Sequence, residues 1–260
     1  MIESITPVIL TYDEAPNIGR TLDALAWARD VVLVDSMSTD ATLAIAARHP
    51  NVRVFQRAFD SHAAQWNYAI SETRIATPWI LALDADYVAA PAFVAELARC
   101  DLDGPVAGYR CRFVYCIEGR PLGGALYPPV VALYRRQGAR YVQDGHTQRV
   151  CIEGPIGAIA APLLHDDRKP LARWVASQVR YARLEAEKLA ATPWRKLAWS
   201  GRLRRMLVVA PVLVPLHCLL VKGGILHGRA GLYYAMQRTV AELLIALSLL
   251  ARVLAPRDAA

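Results

Sequence analysis

Apolar and polar residues alternate between two periods along the first half of the chain. Short β-branched runs at Ile5 to Thr11, Val31 to Asp35, Val52 to Phe55 and Trp79 to Leu83 read as strands. Between them, 3.6-residue spacing predicts helices: one carrying Ile18, Leu22, Leu25 and Ala26 on a single face, one from about Thr39 to Arg48, and one from His62 to about Arg74. The order is βαβαβαβ. Strands so uniformly apolar are covered on both faces, which predicts a doubly wound, mostly parallel sheet with flanking helices.

From Val106 to Ile152 the pattern changes to alternating strands (Val106 to Cys116, Val130 to Tyr134, Arg140 to Val142, Gln148 to Ile152), broken by Gly119 to Gly124 and by Tyr127-Pro-Pro129. These read as mixed or antiparallel additions to the same sheet. A helix is expected from about Pro170 to Ala191, with proline suited to a first turn. After the basic stretch Arg195 to Arg205 come two apolar runs, Met206 to Val221 and Val240 to Ala255. A spanning helix needs about 20 apolar residues, and neither run reaches that length without a charge. Interfacial or re-entrant helices are the expectation, with buried core helices or a dimer interface as the alternative.

Charge sharpens this division. The net charge of +7 is uneven: residues 1–165 hold 14 Lys and Arg against 17 Asp and Glu, and residues 166–260 hold 16 against 6. We therefore expect a catalytic domain over 1–165 and a basic, apolar helical region over 166–260. Basic charge beside apolar surface suits an anionic membrane surface rather than nucleic acid. The five cysteines show neither a disulfide framework nor metal-ligand spacing. The N-terminus has no secretory pattern, so the expected location is the cytoplasmic face of the inner membrane, peripheral or monotopic.

In an open parallel sheet, ligands bind beyond the carboxyl ends of the strands. Thr11-Tyr12-Asp13-Glu14 follows the first strand, Asp35 ends the second, and Asp84-Ala85-Asp86 follows the fourth. Two carboxylates two residues apart on extended backbone repel unless a cation sits between them. Mg2+ or Mn2+ would join one or two carboxylates to phosphate oxygens and draw charge from a departing diphosphate.

Val8 to Glu14, Asn17-Ile-Gly, Val32 to Thr42, His62-Ala-Ala-Gln-Trp-Asn67 and the Asp84/Asp86 pair together resemble family 2 glycosyltransferases of the GT-A (Rossmann-like) fold, and within it the lipopolysaccharide-core type. The resemblance spans roughly residues 5 to 100. It implies an inverting hexosyltransferase that uses a nucleotide-sugar, usually a UDP-sugar, and a lipid-linked or cell-envelope glycan acceptor. By position, it implies that Thr11, Tyr12 and Glu14 line the nucleotide pocket and that Asp35 bonds the base or ribose. Gln65 and Asn67 would lie near the diphosphate, while Asp84 and Asp86 would hold the metal. Met37 and Ala41 stand where glycine is frequent, and Tyr12-Asp13 where Asn or Lys is frequent.

An inverting reaction also needs a base on the acceptor side. Relatives carry a His-Glu pair near here, whereas this chain reads His146-Thr147. Asp144 and His146 are the candidates, against a reading of Asp144-Gly145 as a tight hairpin turn. In Leu164 to Pro170, helix capping accounts for Asp166 and Asp167, while His165, Arg168 and Lys169 are candidates for phosphate contact. Trp27, Trp79 and Trp174 read as core. The alternatives are a polyprenyl-phosphate sugar transferase and a non-catalytic membrane-associated scaffold of the same fold. A sugar nucleotidyltransferase would want a Gly-rich phosphate loop after the first strand, and a haloacid-dehalogenase-like phosphatase its paired Asp there.

Overall fold

The computed structural model describes residues 2–123, 126–144 and 147–254, without the side chain of Thr147. The chain runs β1 (Ile5–Thr11), α1 (Ile18–Asp23), β2 (Val31–Asp35), α2 (Thr42–Ala46), β3 (Val52–Gln56), α3 (His62–Ser71) and β4 (Trp79–Asp84). It continues through β5 (Tyr87–Val88), α4 (Pro91–Leu97), β6 (Gly108–Ile117), β7 (Arg120–Pro121), β8 (Val130–Arg135), β9 (Arg140–Asp144), β10 (Thr147–Cys151) and β11 (Ile156–His165). The last helices are α5 (Leu171–Ala191), α6 (Trp199–Arg205), α7 (Val209–Leu216) and α8 (Gly228–Leu254).

The strands form one α/β sheet in the order β3-β2-β1-β4-β8-β6-β11-β5, with β7 beside β6. β3, β2, β1 and β4 are mutually parallel, and β8 pairs antiparallel with both β4 and β6. All five residues of β2 are buried, as the doubly covered reading requires. One core packs Ile9, Leu22, Leu33, Leu81 and Phe93 together; another packs Val8, Val34, Trp66, Ile80 and Tyr134. A separate hairpin, β9 with β10, pairs Asp144 with Thr147; Gly145 of the expected turn lies outside the described residues.

Two compact units result: Met1–Pro121 with Tyr127–Lys169, and Leu122–Leu126 with Pro170–Ala260. The division falls after Lys169 because the segment beyond β11 is tied back to α1: Asn17 and Glu14 hold Asp167, Arg168 and Lys169 by hydrogen bonds. Three expectations change. Asp166 and Asp167 do not cap α5, which begins at Leu171 with Pro170 before it and no side-chain cap. The second helix is shorter than predicted, Thr42–Ala46. The second apolar run belongs to a 27-residue helix starting at Gly228.

In the second unit, α5 packs on α8 through Ala182, Ala186, Leu189, Ile245 and Leu249. Among the described residues no single helix is long and apolar enough to cross a membrane. The pair Val209–Val221 and Gly224–Leu254, bent by 69°, passes that test together by length and composition.

Candidate active site

Two polar clusters sit at the carboxyl ends of β1, β2 and β4. The first is built on Asp35, fully buried at the end of β2. Its Oδ1 accepts from Thr11 Oγ1 at 2.9 Å and from Ser38 Oγ, and its Oδ2 accepts from the Ser38 amide at 2.8 Å. The loops after β1 and β2 are stitched together: the Asp13 amide donates to Ser38, the Glu14 amide to Thr42, and the Thr39 amide to Asp13. Holding this turn places Met37 at φ 64°, the left-handed conformation that favours glycine. The unusual Met37 is thus strained as well as exposed. Tyr12 is about half exposed.

Gln65, fully buried on α3, donates to Ser36 Oγ at 2.9 Å and to the Arg57 carbonyl at 3.0 Å, and accepts from the Arg57 guanidinium. It fixes the floor of this cluster. Asn67 is occupied elsewhere: its amide group donates to the Tyr141 carbonyl at 3.0 Å and accepts from the Tyr141 amide at 2.8 Å, pinning β9 to α3. These partners give Asn67 a structural task, unlike the diphosphate contact the resemblance implies.

The second cluster joins four segments. Asn17, fully buried at the start of α1, is its hub. Its Nδ2 donates to Glu14 Oε2 and Asp167 Oδ1, both at 2.9 Å, and its Oδ1 accepts from the Arg168 amide at 2.9 Å and Arg20 Nη2 at 3.0 Å. Lys169 Nζ lies 2.8 Å from Glu14, 3.3 Å from Asp167 and 3.9 Å from Asp86. Arg168 grips Asp166 Oδ2 through two nitrogens, at 2.9 and 2.7 Å. Thr21 Oγ1 donates to the Ala85 carbonyl at 2.7 Å, and the Asp166 amide to the Asp86 carbonyl at 3.0 Å. The Asp84-Ala85-Asp86 turn is therefore clamped from both sides.

His165 ends β11, and its Nε2 stands 3.3 Å from Asp86 Oδ2. The rings of Tyr87, Tyr115 and Tyr127 meet the imidazole edge-to-face with centroids 4.7–5.1 Å away. Pairing of β11 with β5, His165 opposite Tyr87, sets this position.

Charges in the cluster oppose one another. Burial alone would push Asp86 up, but the His165 charge and hydrogen bond, with Lys169, hold it down at about 2. Asp84 is raised, by burial and by the Asp86 charge, although a hydrogen bond from Tyr87 offsets part of this. Glu14 is raised to about 7, chiefly by burial, with Lys169 pulling the other way. His165 and Lys169 are both raised, because the surrounding carboxylates outweigh burial.

The donors suit a hard or borderline divalent cation, with two carboxylates on one turn and an imidazole 3.3 Å from the second. Asp86 Oδ1 and His165 Nδ1 are buried without a partner, which a built site awaiting a ligand explains. Among the described residues no three such groups yet converge on one ion position; Lys169 supplies positive charge there instead.

Asp144 closes β9, apart in sequence from both clusters, and His146 lies outside the described residues. The motif reading missed Arg20 and Lys169 as partners of the acids, since they meet across about 150 residues of chain. The polar density of Leu164 to Lys169 was the available signal.

The sequence model of the family described as "Glycosyl transferase family 2" matches residues 6–148. No curated protein matches the chain. Among solved structures, S. aureus TarS 1-349 is 12% identical with TM-score 0.47, covering 96% of this chain and 91% of its own. The same fragment in complex with UDP-GlcNAc is 13% identical with TM-score 0.47 and the same coverage. Glucosyl-3-phosphoglycerate synthase from Mycobacterium tuberculosis, in complex with Mn2+, UDP and phosphoglyceric acid, is 15% identical with TM-score 0.49, covering 73% of this chain and 79% of its own. Likeness this distant assigns no substrate.

Proposed function

The chain belongs to glycosyl transferase family 2, and from that premise we propose that it moves a sugar, with inversion, from a UDP-sugar to a lipid-linked or cell-envelope glycan acceptor of the lipopolysaccharide-core kind. The observation that carries this reading is the electrostatics of the turn after β4. Asp86 is held ionised while its neighbour Asp84 is pushed up, so the pair resists a second negative charge until an outside cation joins it.

Asp84 and Asp86 would hold Mg2+ or Mn2+, which when bound stabilises negative charge on the leaving diphosphate. Asp35, locked by Thr11 and Ser38, would present its turn to the base and ribose. Glu14, Asn17 and Lys169 would shape the floor beneath the phosphates. On the acceptor side, Asp144 or His146 would take the proton of the attacking hydroxyl as its oxygen bonds the anomeric carbon and the bond to the diphosphate breaks.

Nucleotide release from UDP-sugars by purified protein, with Mn2+ and membrane extract as acceptor source, tests this. We expect Asp86→Ala to lower the rate by about 10²–10³, the usual size of a lost electrostatic stabiliser. Equal release by the two proteins would remove the metal-site assignment.

A further inference from the structure

Of the 30 large hydrophobic side chains exposed among the described residues, 24 lie between Leu171 and Leu254. They include every outward position of a regular series on α8: Met236, Val240, Leu243, Leu247, Leu250 and Leu254, spaced four and three apart so as to share one face. The opposite face of α8 is buried, with Ala235, Glu242, Ile245 and Leu249 inside. Soluble surfaces scatter such residues singly; a continuous set marks something that covers it.

The bend before α8 is among the most exposed parts of the set. Leu220, Val221, Ile225 and Leu226 are 65%, 73%, 62% and 86% exposed. The bend is built in rather than incidental. Gly223 and Gly228 have φ of 68° and 56°, and a Cβ on Gly231 would fall 1.8 Å from the Gly224 carbonyl oxygen. Only glycine allows α8 to approach the preceding turn so closely. Gly123 and Leu126 of the same unit brace it, the Gly123 amide donating to His227 and the Leu126 amide to Tyr234.

Charge decides what covers this surface. Pro170–Ala260 carries 14 Lys and Arg against 4 Asp and Glu. Its three described glutamates already face arginines: Glu185 and Glu242 face Arg204, Glu242 also Arg238, and Glu187 both Arg183 and Arg252. Exposed cations flank the apolar positions, Arg195 and Lys196 beside Trp194 and Trp199, Lys222 and Arg229 at the bend. A second copy of the chain would bring the same positive charge and repel. A bilayer of anionic phospholipid supplies both an apolar phase and the opposite charge.

We propose that this unit is a monotopic docking surface for an anionic bilayer, in which the bend Leu220–Leu226 enters the acyl boundary while Arg195, Lys196, Lys222 and Arg229 meet the phosphates. The proposal deepens the reading of a lipid-linked acceptor and rests on it for its purpose, though its observations are independent of the nucleotide site. On this proposal the protein works at a cytoplasmic membrane face.

The test is co-sedimentation of the full chain with vesicles of phosphatidylglycerol or of phosphatidylcholine alone. Binding is expected to phosphatidylglycerol, weakened severalfold by high salt. The double variant Ile225→Glu/Leu226→Glu is expected to lose about tenfold or more of its vesicle affinity, while Arg195→Glu/Lys196→Glu abolishes the preference for phosphatidylglycerol. Both pairs are exposed, and an unchanged thermal melt verifies that the fold survives. Equal binding by wild type and the bend variant would overturn the proposal, as would recovery of wild type in the supernatant at low salt. A dimer that Leu243→Glu dissociates, with no vesicle binding, would assign the face to a second copy and equally overturn it. Nucleotide release in the same variants keeps the two readings apart: lost vesicle binding with retained release touches only the surface, and the reverse touches only the transferase.

Discussion

Glu242 on α8 and Asp86 beyond β4 are both nearly inaccessible carboxylates, and their surroundings differ. Both oxygens of Glu242 are taken, by Arg204 Nε and Nη2 and by Arg238 Nη2, each at 2.9 Å. Asp86 meets its cations at 3.3 and 3.9 Å and leaves Oδ1 with no partner. The carboxylate of the first network is fully paired by the chain itself and is structural, although Arg238 Nε beside it is buried without a partner. The second is balanced in charge yet incomplete in hydrogen bonding, which is how a site differs from a brace. The units differ in apolar surface as well: of the 30 large hydrophobic side chains exposed among the described residues, the unit of Asp86 holds six and the unit of Glu242 holds 24.

The sharpest way to break this contrast is to remove one cation from each network and ask whether metal can replace it. Arg204→Met leaves Glu242 to Arg238 and takes a cation from Glu185, and we expect a loss of up to about 3–5 kcal/mol in denaturant or thermal unfolding that Mn2+ does not restore. Lys169→Met is expected to cost less, about 2–3 kcal/mol, because Glu14 can take up a proton to relieve the remaining acids. Here added Mn2+ should recover part of the stability by mass action. If Mn2+ rescues both variants or neither, the two networks are not different in kind.

A pH series sharpens the same point. Glu14 is raised from 4.5 to about 7, so the folded protein holds a proton there that the unfolded chain releases. Its contribution favours folding below pH 4.5 and is lost as pH rises through 7. Glu14→Gln should flatten the fall in stability across that window by up to one proton's slope in metal-free protein. An unchanged slope would show that Glu14 does not carry the effect. The smallest expected effect is in the loop: Met37→Gly removes a left-handed methionine and should stabilise by about 1 kcal/mol or less, measured by thermal melt.

The strands β1 and β2 were legible residue for residue, because buried parallel strands read as near-continuous apolar runs. So was the position of Asp35 at the end of β2. β11 was not, although it carries His165. Its sequence Ile-Gly-Ala-Ile-Ala-Ala-Pro-Leu-Leu-His is small, glycine- and proline-bearing, and is made a strand by β6, some 50 residues earlier, rather than by local preference. The partners of Asp166 and Asp167 were hidden for the same reason. Acids before a helix look like caps in one dimension, whereas Arg20, Asn17 and Lys169 claim them through the fold. The length of α8 was missed because its first two turns contain Gly228, Arg229 and Gly231, poor helix signals that the close backbone packing requires.

β11 also bulges against β6: between Ile159 and Leu163 it advances four residues while its neighbour advances two, from Cys111 to Phe113. Glu96 of α4 fastens the excess by accepting from the Ala160 and Ala161 amides at 2.7 and 2.6 Å. Because the surplus is even, the alternation of sides resumes unchanged and the imidazole still lands beside Asp86. Dropping one alanine there would turn the strand's tail over and carry His165 to the wrong side of the sheet with no charged residue altered. The parity of a stretch of alanines thus governs the chemistry as firmly as the aspartates do.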